Sequence, residues 1–141
     1  MNETKAVVDE FLRRTAAGDT PERIAELYAE TVDWRVSWPV SRHPAVPWIR
    51  PRSTRADVAD HYRTFAAVCV PEAGEVRLDE IIVDGPVAVL FGASFQQVKP
   101  TGKRFAMTFA LRLAVQDGLI AKHHMYEDSL AVEAAFGARP A

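Results

Sequence analysis

Gln116-Asp117-Gly118-Leu119-Ile120-Ala121-Lys122-His123-His124-Met125-Tyr126-Glu127-Asp128 opens on an Asp-Gly turn, continues as a strand and ends at a helix cap. Asp-Gly between two apolar runs signals a hairpin, because glycine supplies the positive φ that a tight primed turn needs. The strand carries two histidines, a tyrosine and two carboxylates, and no other segment is so dense in groups that titrate or hydrogen-bond.

Working back from that hairpin, three more runs read as strands: 75–83, 87–98 and 103–115. Asp84-Gly85-Pro86 and Lys99-Pro100-Thr101-Gly102 turn between them. Strands joined by such short turns pair antiparallel. The upstream chain is helical. Val7, Val8, Phe11 and Leu12 recur at helical spacing over 4–17, and Gly18 stops that helix. Thr20 is an N-cap and Pro21 suits the first position of a second helix, with Ile24, Leu27 and Tyr28 as its buried face. Over 32–38, Val32, Trp34, Val36 and Trp38 alternate with Asp33, Arg35 and Ser37, which predicts a half-buried strand. Pro39, Pro44, Pro47 and Pro51 make 39–53 irregular. Val46-Pro47-Trp48-Ile49 inside it predicts a segment packed down as a lid or rim. Thr54 and Asp57 predict a capping box opening a helix to 67, with Val58, Tyr62 and Phe65 on one face. A short last helix starts at 128 or 129 and stops at Gly137.

Helices early and strands late predict an α+β fold. The sheet is expected to be curved and antiparallel, with helices on its concave face. Such a cone-shaped α+β barrel leaves a hollow where small molecules bind.

A chain of 141 residues fits a single domain spanning 1–141. Net charge is -2, and no Lys/Arg run marks a nucleic-acid partner. The N-terminus lacks a signal-peptide pattern, and no apolar run reaches the ~20 residues of a membrane span. Cys69 is alone, so no internal disulfide can form; a cytoplasmic location is the expectation. There is no glycine-rich phosphate loop, no nucleophile elbow and no paired-cysteine metal site, so no nucleotide, flavin or metal cofactor is expected.

In element order the chain resembles the nuclear-transport-factor-2-like (ketosteroid isomerase-like) superfamily, and within it the SnoaL-like branch. The local matches are Leu27-Tyr28-Ala29-Glu30 before Val32-Asp33-Trp34, Val46-Pro47-Trp48 in the loop, Ser53-Thr54-Arg55, and Asp117-Gly118-Leu119-Ile120 before Tyr126-Glu127-Asp128. The fold hosts isomerases, cyclases, dehydratases and non-catalytic binders, so it implies a pocket rather than a reaction. The positions that resemble the aspartate base and the tyrosine and aspartate oxyanion donors of ketosteroid isomerases hold Phe11, Val36 and Ala110, none of which can move a proton or donate a side-chain hydrogen bond. Met125 stands where SnoaL-like cyclases carry an aspartate. His123 and Tyr62 do match pocket positions of the family.

Side chains alternate along a strand. His123, Met125 and Glu127 therefore share one face, and His124, Tyr126 and Asp128 the other. If Gln116 pairs with Leu119, regular pairing puts Arg112 beside His123, Ala110 beside Met125 and Thr108 beside Glu127. By analogy with the family this is the pocket side. The bulky row Phe105, Met107, Phe109, Leu111 and Leu113 then faces outward with Tyr126, and a homodimer partner would cover it; a bulge would swap the faces. His123 is the candidate general acid or base, against a histidine simply bonded in a wall. Arg112 and Tyr62 are candidates to hold an oxygen, with a salt bridge as the rival role for Arg112. Glu127 is a second acid/base candidate, and Asp128 is read as a helix cap. Trp34, Trp38, Trp48, Met125 and Thr108 are expected to bind substrate. His61 reads as surface and Cys69 as a buried inert thiol. The resulting expectation is cofactor-independent isomerisation, cyclisation or dehydration of an apolar polyketide-like or terpenoid-like molecule. The alternative is a non-catalytic binding or interaction protein of the same fold.

Overall fold

The computed structural model describes residues 3–137. Helix α1 spans Glu3–Ala16 and buries Thr4, Val8 and Phe11. Its first turn touches two distant hairpin turns: Thr4 Oγ1 donates to Gly85 O at 2.7 Å, and the Gly118 amide donates to the Glu3 carboxylate. Helix α2, Pro21–Ala25, is capped by Thr20 and is shorter than its apolar pattern suggests. The chain leaves it because Leu27 O accepts from Ile120 N at 2.8 Å, drawing Tyr28 into the sheet. Strand β1 is therefore Tyr28–Val36, starting earlier than expected and ending before Trp38.

Helix α3, Arg55–Val68, opens on the anticipated capping box of Thr54 and Asp57. Then come β2 (Glu75–Asp84), β3 (Val87–Gln97), β4 (Arg104–Gln116), β5 (Leu119–Glu127) and α4 (Ser129–Ala135). Asp128 caps α4, accepting from Ala131 N at 3.3 Å. Asp117 and Gly118 both have positive φ, 53° and 78°, as the primed hairpin turn requires.

The sheet order is β1-β5-β4-β3-β2, and it stays open. The hairpins β2 to β5 are antiparallel, but β1 runs parallel to β5, so the sheet is mixed and not purely antiparallel as expected. Short turns dictate direction only between consecutive strands, and β1 reaches the edge by a long path.

One irregularity sets every facing. Val115 pairs with Ile120, but Ala114 pairs with Lys122, so Ala121 is an extra residue on β5. Beyond it Leu113 faces His123, Leu111 faces Met125 and Phe109 faces Glu127. The bulky row therefore points inward with His123, where Phe105, Met107, Leu111 and Leu113 are buried. The expected pairing of Arg112 with His123 does not occur: Arg112 lies opposite His124, and Ala110 opposite Tyr126. Arg112 and Thr108 stand on the outer face of the sheet.

Two apolar clusters fill the inside. One lies under α1, α2 and α3 and includes Phe11, Tyr28, Val58 and Leu113. The other gathers Trp38, Val46, Trp48, Ile49, Phe105 and Met107 beneath the proline-rich segment. That segment is pinned by Arg52, whose side chain is 1% exposed and bonds Trp48 O, Asp57 O and Asp60. His43 ties it to α4: Nδ1 accepts from the Ala45 and Val46 amides, leaving Nε2–H to donate to Glu133 at 2.9 Å. Cys69 is buried and burial pushes its thiol up to about 11, so it is inert as expected.

Candidate functional site

A cavity of about 60 Å³ lies where the two clusters meet. Trp34 and Val36 reach it from β1, Trp48 from the pinned segment and His61 and Phe65 from α3. Phe105 and Met107 come from β4, and His123, Met125 and Glu127 from β5. That is above the roughly 10–15 Å³ needed to hold one water, so it has room for a few waters or one small organic molecule.

Its titratable groups are His61, His123 and Glu127. His123 is 3% exposed. Its Nδ1 lies 2.8 Å from the hydroxyl of the fully buried Tyr28, which lies 3.3 Å from the hydroxyl of Tyr62. The ring stacks on Trp34 at 3.9 Å with planes 6° apart. Burial, then the neighbouring His61 and His124, push the imidazole well below its ordinary range. His61 packs against the same indole at 4.8 Å. Burial, with help from the Arg52 charge, lowers it to about 3. Its Nδ1 is buried with no hydrogen-bond partner in the protein. Buried polar atoms are nearly always satisfied, so this nitrogen stands out as an unpartnered polar atom on a residue of the cavity wall.

Glu127 shifts the other way. Burial raises its carboxyl, against the opposing hydrogen bond from Trp38 Nε1 to Oε2 at 3.1 Å. Ser37 Oγ fixes the residue by accepting from its backbone N–H at 2.9 Å. Near neutral pH the cavity therefore holds neutral imidazoles and a carboxyl that keeps its proton more readily than usual. It can donate and accept hydrogen bonds and exchange a proton, and among the described residues no lysine or arginine lines it.

The anticipated residues divide. His123, Glu127, Met125, Trp34 and Trp48 line the cavity together. Tyr62 reaches it only through Tyr28. Trp38 serves as the donor that holds Glu127. Arg112 and Thr108 are excluded by the Ala121 bulge. His61 was expected at the surface but lines the wall; its place one turn before Phe65 on α3 was the available signal. Tyr28 was expected on α2. His124 is buried on the other face, with Nε2 3.2 Å from Asp33 Oδ2 but without hydrogen-bond alignment. Among the described residues no group of three or more His, Cys, Asp or Glu side chains could hold a metal ion.

The profile of the SnoaL-like domain matches residues 8–123. No curated protein matches the sequence significantly. Among solved structures, an NTF2-like protein from Burkholderia thailandensis superposes with a TM-score of 0.80 at 18% identity, over 99% of this chain and 100% of that one. A candidate isomerase from Bacillus subtilis gives 0.79 at 16%, over 99% and 98%. TerC, co-crystallised with polyporic acid, gives 0.77 at 14%, over 96% and 99%. At these identities the likeness shows the fold. Among the described residues no helix is long and apolar enough to cross a membrane.

Proposed function

Because the chain belongs to the SnoaL-like domain family, whose fold hosts both enzymes and binders, we propose that its cavity carries out cofactor-independent acid/base chemistry on a small apolar molecule. The observation that carries this reading is a raised carboxyl, Glu127, on the same aromatic-walled cavity as a depressed imidazole, His123. Titratable groups whose surroundings push them apart mark acid and base roles. The two residues stand four apart on one face of β5, their Cα atoms about 13 Å apart along the strand, and both side chains line the one small cavity, so a single small molecule lies between them. The cavity lies well below the ~300–1,000 Å³ of drug-sized sites, which favours a ring-sized substrate and isomerisation or dehydration over cyclisation of a long chain. Trp34 and Trp48 supply flat walls. The same chemistry points to a neutral, mostly apolar ligand, and the outer sheet face to a homodimer contact.

A substrate-independent assay tests it. Deuterium uptake next to the carbonyl of small cyclic enones, such as cyclohex-2-enone, is followed by NMR with and without protein. The wild type accelerates uptake; Glu127→Gln and His123→Gln reduce it by roughly 10²–10⁴ while probe affinity, read by tryptophan fluorescence, persists. Tight binding of the enones with no acceleration by the wild type overturns the enzyme reading in favour of a non-catalytic binder.

A further inference from the structure

The indoles of this chain differ in what their N–H groups meet. An indole N–H is a donor only, with no tautomer to choose, so it offers a hydrogen bond whatever the pH. Trp38 gives its N–H to Glu127 at 3.1 Å. Trp34 is half-buried, where solvent can reach it. Trp48 lines the cavity and is only 5% exposed, yet among the described residues no acceptor is recorded for its Nε1–H. A buried tryptophan usually finds such a partner.

The atom is not sealed in protein either. The enclosed polar atoms without a partner are Arg52 Nε, His61 Nδ1 and His124 Nε2, and Trp48 Nε1 is not among them. It therefore opens onto free space, and the space that this buried ring lines is the cavity. The indole is also held still. Its ring packs on Phe65 at 4.8 Å and on Phe136 at 5.4 Å, and its backbone carbonyl accepts from the buried Arg52 at 3.3 Å. A donor fixed in place needs no reorganisation when an acceptor arrives, and a bare donor on an apolar wall gains from one.

We propose that Trp48 Nε1–H donates to an oxygen of the cavity's ligand, so that the site selects a small ring carrying a carbonyl or other neutral oxygen acceptor over the bare hydrocarbon. The neutral class follows from the lining, because among the described residues no lysine or arginine meets the cavity to hold an anion. The proposal rests on the reading of this cavity as a ligand site, and not on turnover there. Joined to the acid/base reading, it has Trp48 polarise the oxygen while Glu127 or His123 moves the proton.

The test follows the indole N–H signals of the full chain in ¹H–¹⁵N spectra during titration with cyclohex-2-enone and, separately, with cyclohexene. The Trp48 signal is identified by its contacts to the Phe65 and Phe136 rings. It is expected to move downfield with the enone and not with cyclohexene. Trp48→Phe is expected to weaken enone binding by roughly two- to tenfold, read on the Met125 methyl, while cyclohexene binding is unchanged. A Trp48 signal that stays in place up to the solubility of the enone, or that moves alike with both probes, overturns the inference, and so does a variant that loses both probes equally. Should the variant not fold, the wild-type titration decides alone. Accelerated enone exchange with the Trp48 signal unmoved overturns this inference and leaves the enzyme reading standing; a downfield shift without acceleration does the reverse.

Discussion

His123 draws its character from contacts on three sides: Tyr28 on Nδ1, Trp34 over its face and His61 nearby. Removing the Tyr28 hydroxyl leaves Nδ1 and the Tyr62 hydroxyl without their partner. Tyr28→Phe is therefore expected to cost about 1–3 kcal/mol, read as a lower urea midpoint at unchanged slope. Arg112→Ala is expected to leave enone exchange at the wild-type rate, since its side chain stands on the opposite face of β4; a large loss would mean that the guanidinium reaches the cavity. At this scale the sequence was informative where alternation suffices. His123, Met125 and Glu127 share a face by parity alone, and Trp34 follows from its own strand. His61 escaped because a helix face was drawn through Val58, Tyr62 and Phe65, although His61 is three residues from Val58 and four from Phe65, within the same stripe.

Elements whose chemistry is local were legible to within a few residues. The Thr54 and Asp57 box, the Asp117-Gly118 turn and the Asp128 cap all lie where the residue types put them. Thr54→Ala is expected to destabilise by about 0.5–2 kcal/mol in the same urea measurement. The bulge at Ala121 was not legible, because it depends on which strand faces which. Ile120 and His123 are both buried though three residues apart, an odd spacing that a regular strand cannot give. Deleting Ala121 would swing either Ile120 or the whole stretch from His123 onward to the wrong side, and loss of the cooperative unfolding transition is expected. A second close fit lies at Gly92, where an added Cβ would sit 2.2 Å from Arg77 O. Gly92→Ala therefore forces β2 and β3 apart, with a fall in melting temperature as the readout.

For the whole molecule, acid is the informative stress. His61 has its pKa lowered from 6.5 to about 3 in the fold, and His123 is also lowered. The unfolded chain then binds more protons than the folded one below about pH 6.5, so stability falls as pH drops, by up to ~1.4 kcal/mol per unit for each imidazole. Glu127 is raised, binds its proton earlier in the fold and opposes part of the loss on approaching the ordinary carboxylate range. Urea midpoints from pH 7.5 to pH 4 should decline, and His61→Gln should flatten the decline. The outer face bears Ile82, Phe91 and Tyr126, 48%, 37% and 54% exposed, among small residues of β4. A contact between two copies there predicts a dimer in sedimentation that Tyr126→Glu with Phe91→Asp converts to monomer. The inner row of β4 is not that surface, because the bulge turned it into core.

The parallel pairing of β1 with β5 also decides when the molecule can take shape. Tyr28 meets Ile120, so a strand made early by the ribosome waits for nearly the last one, and the first helical turn waits for Gly118 in the same way. No nascent chain short of residue 120 can close that edge. Refolding after dilution from urea should accordingly be slow for a chain of this length, in the range of milliseconds to seconds.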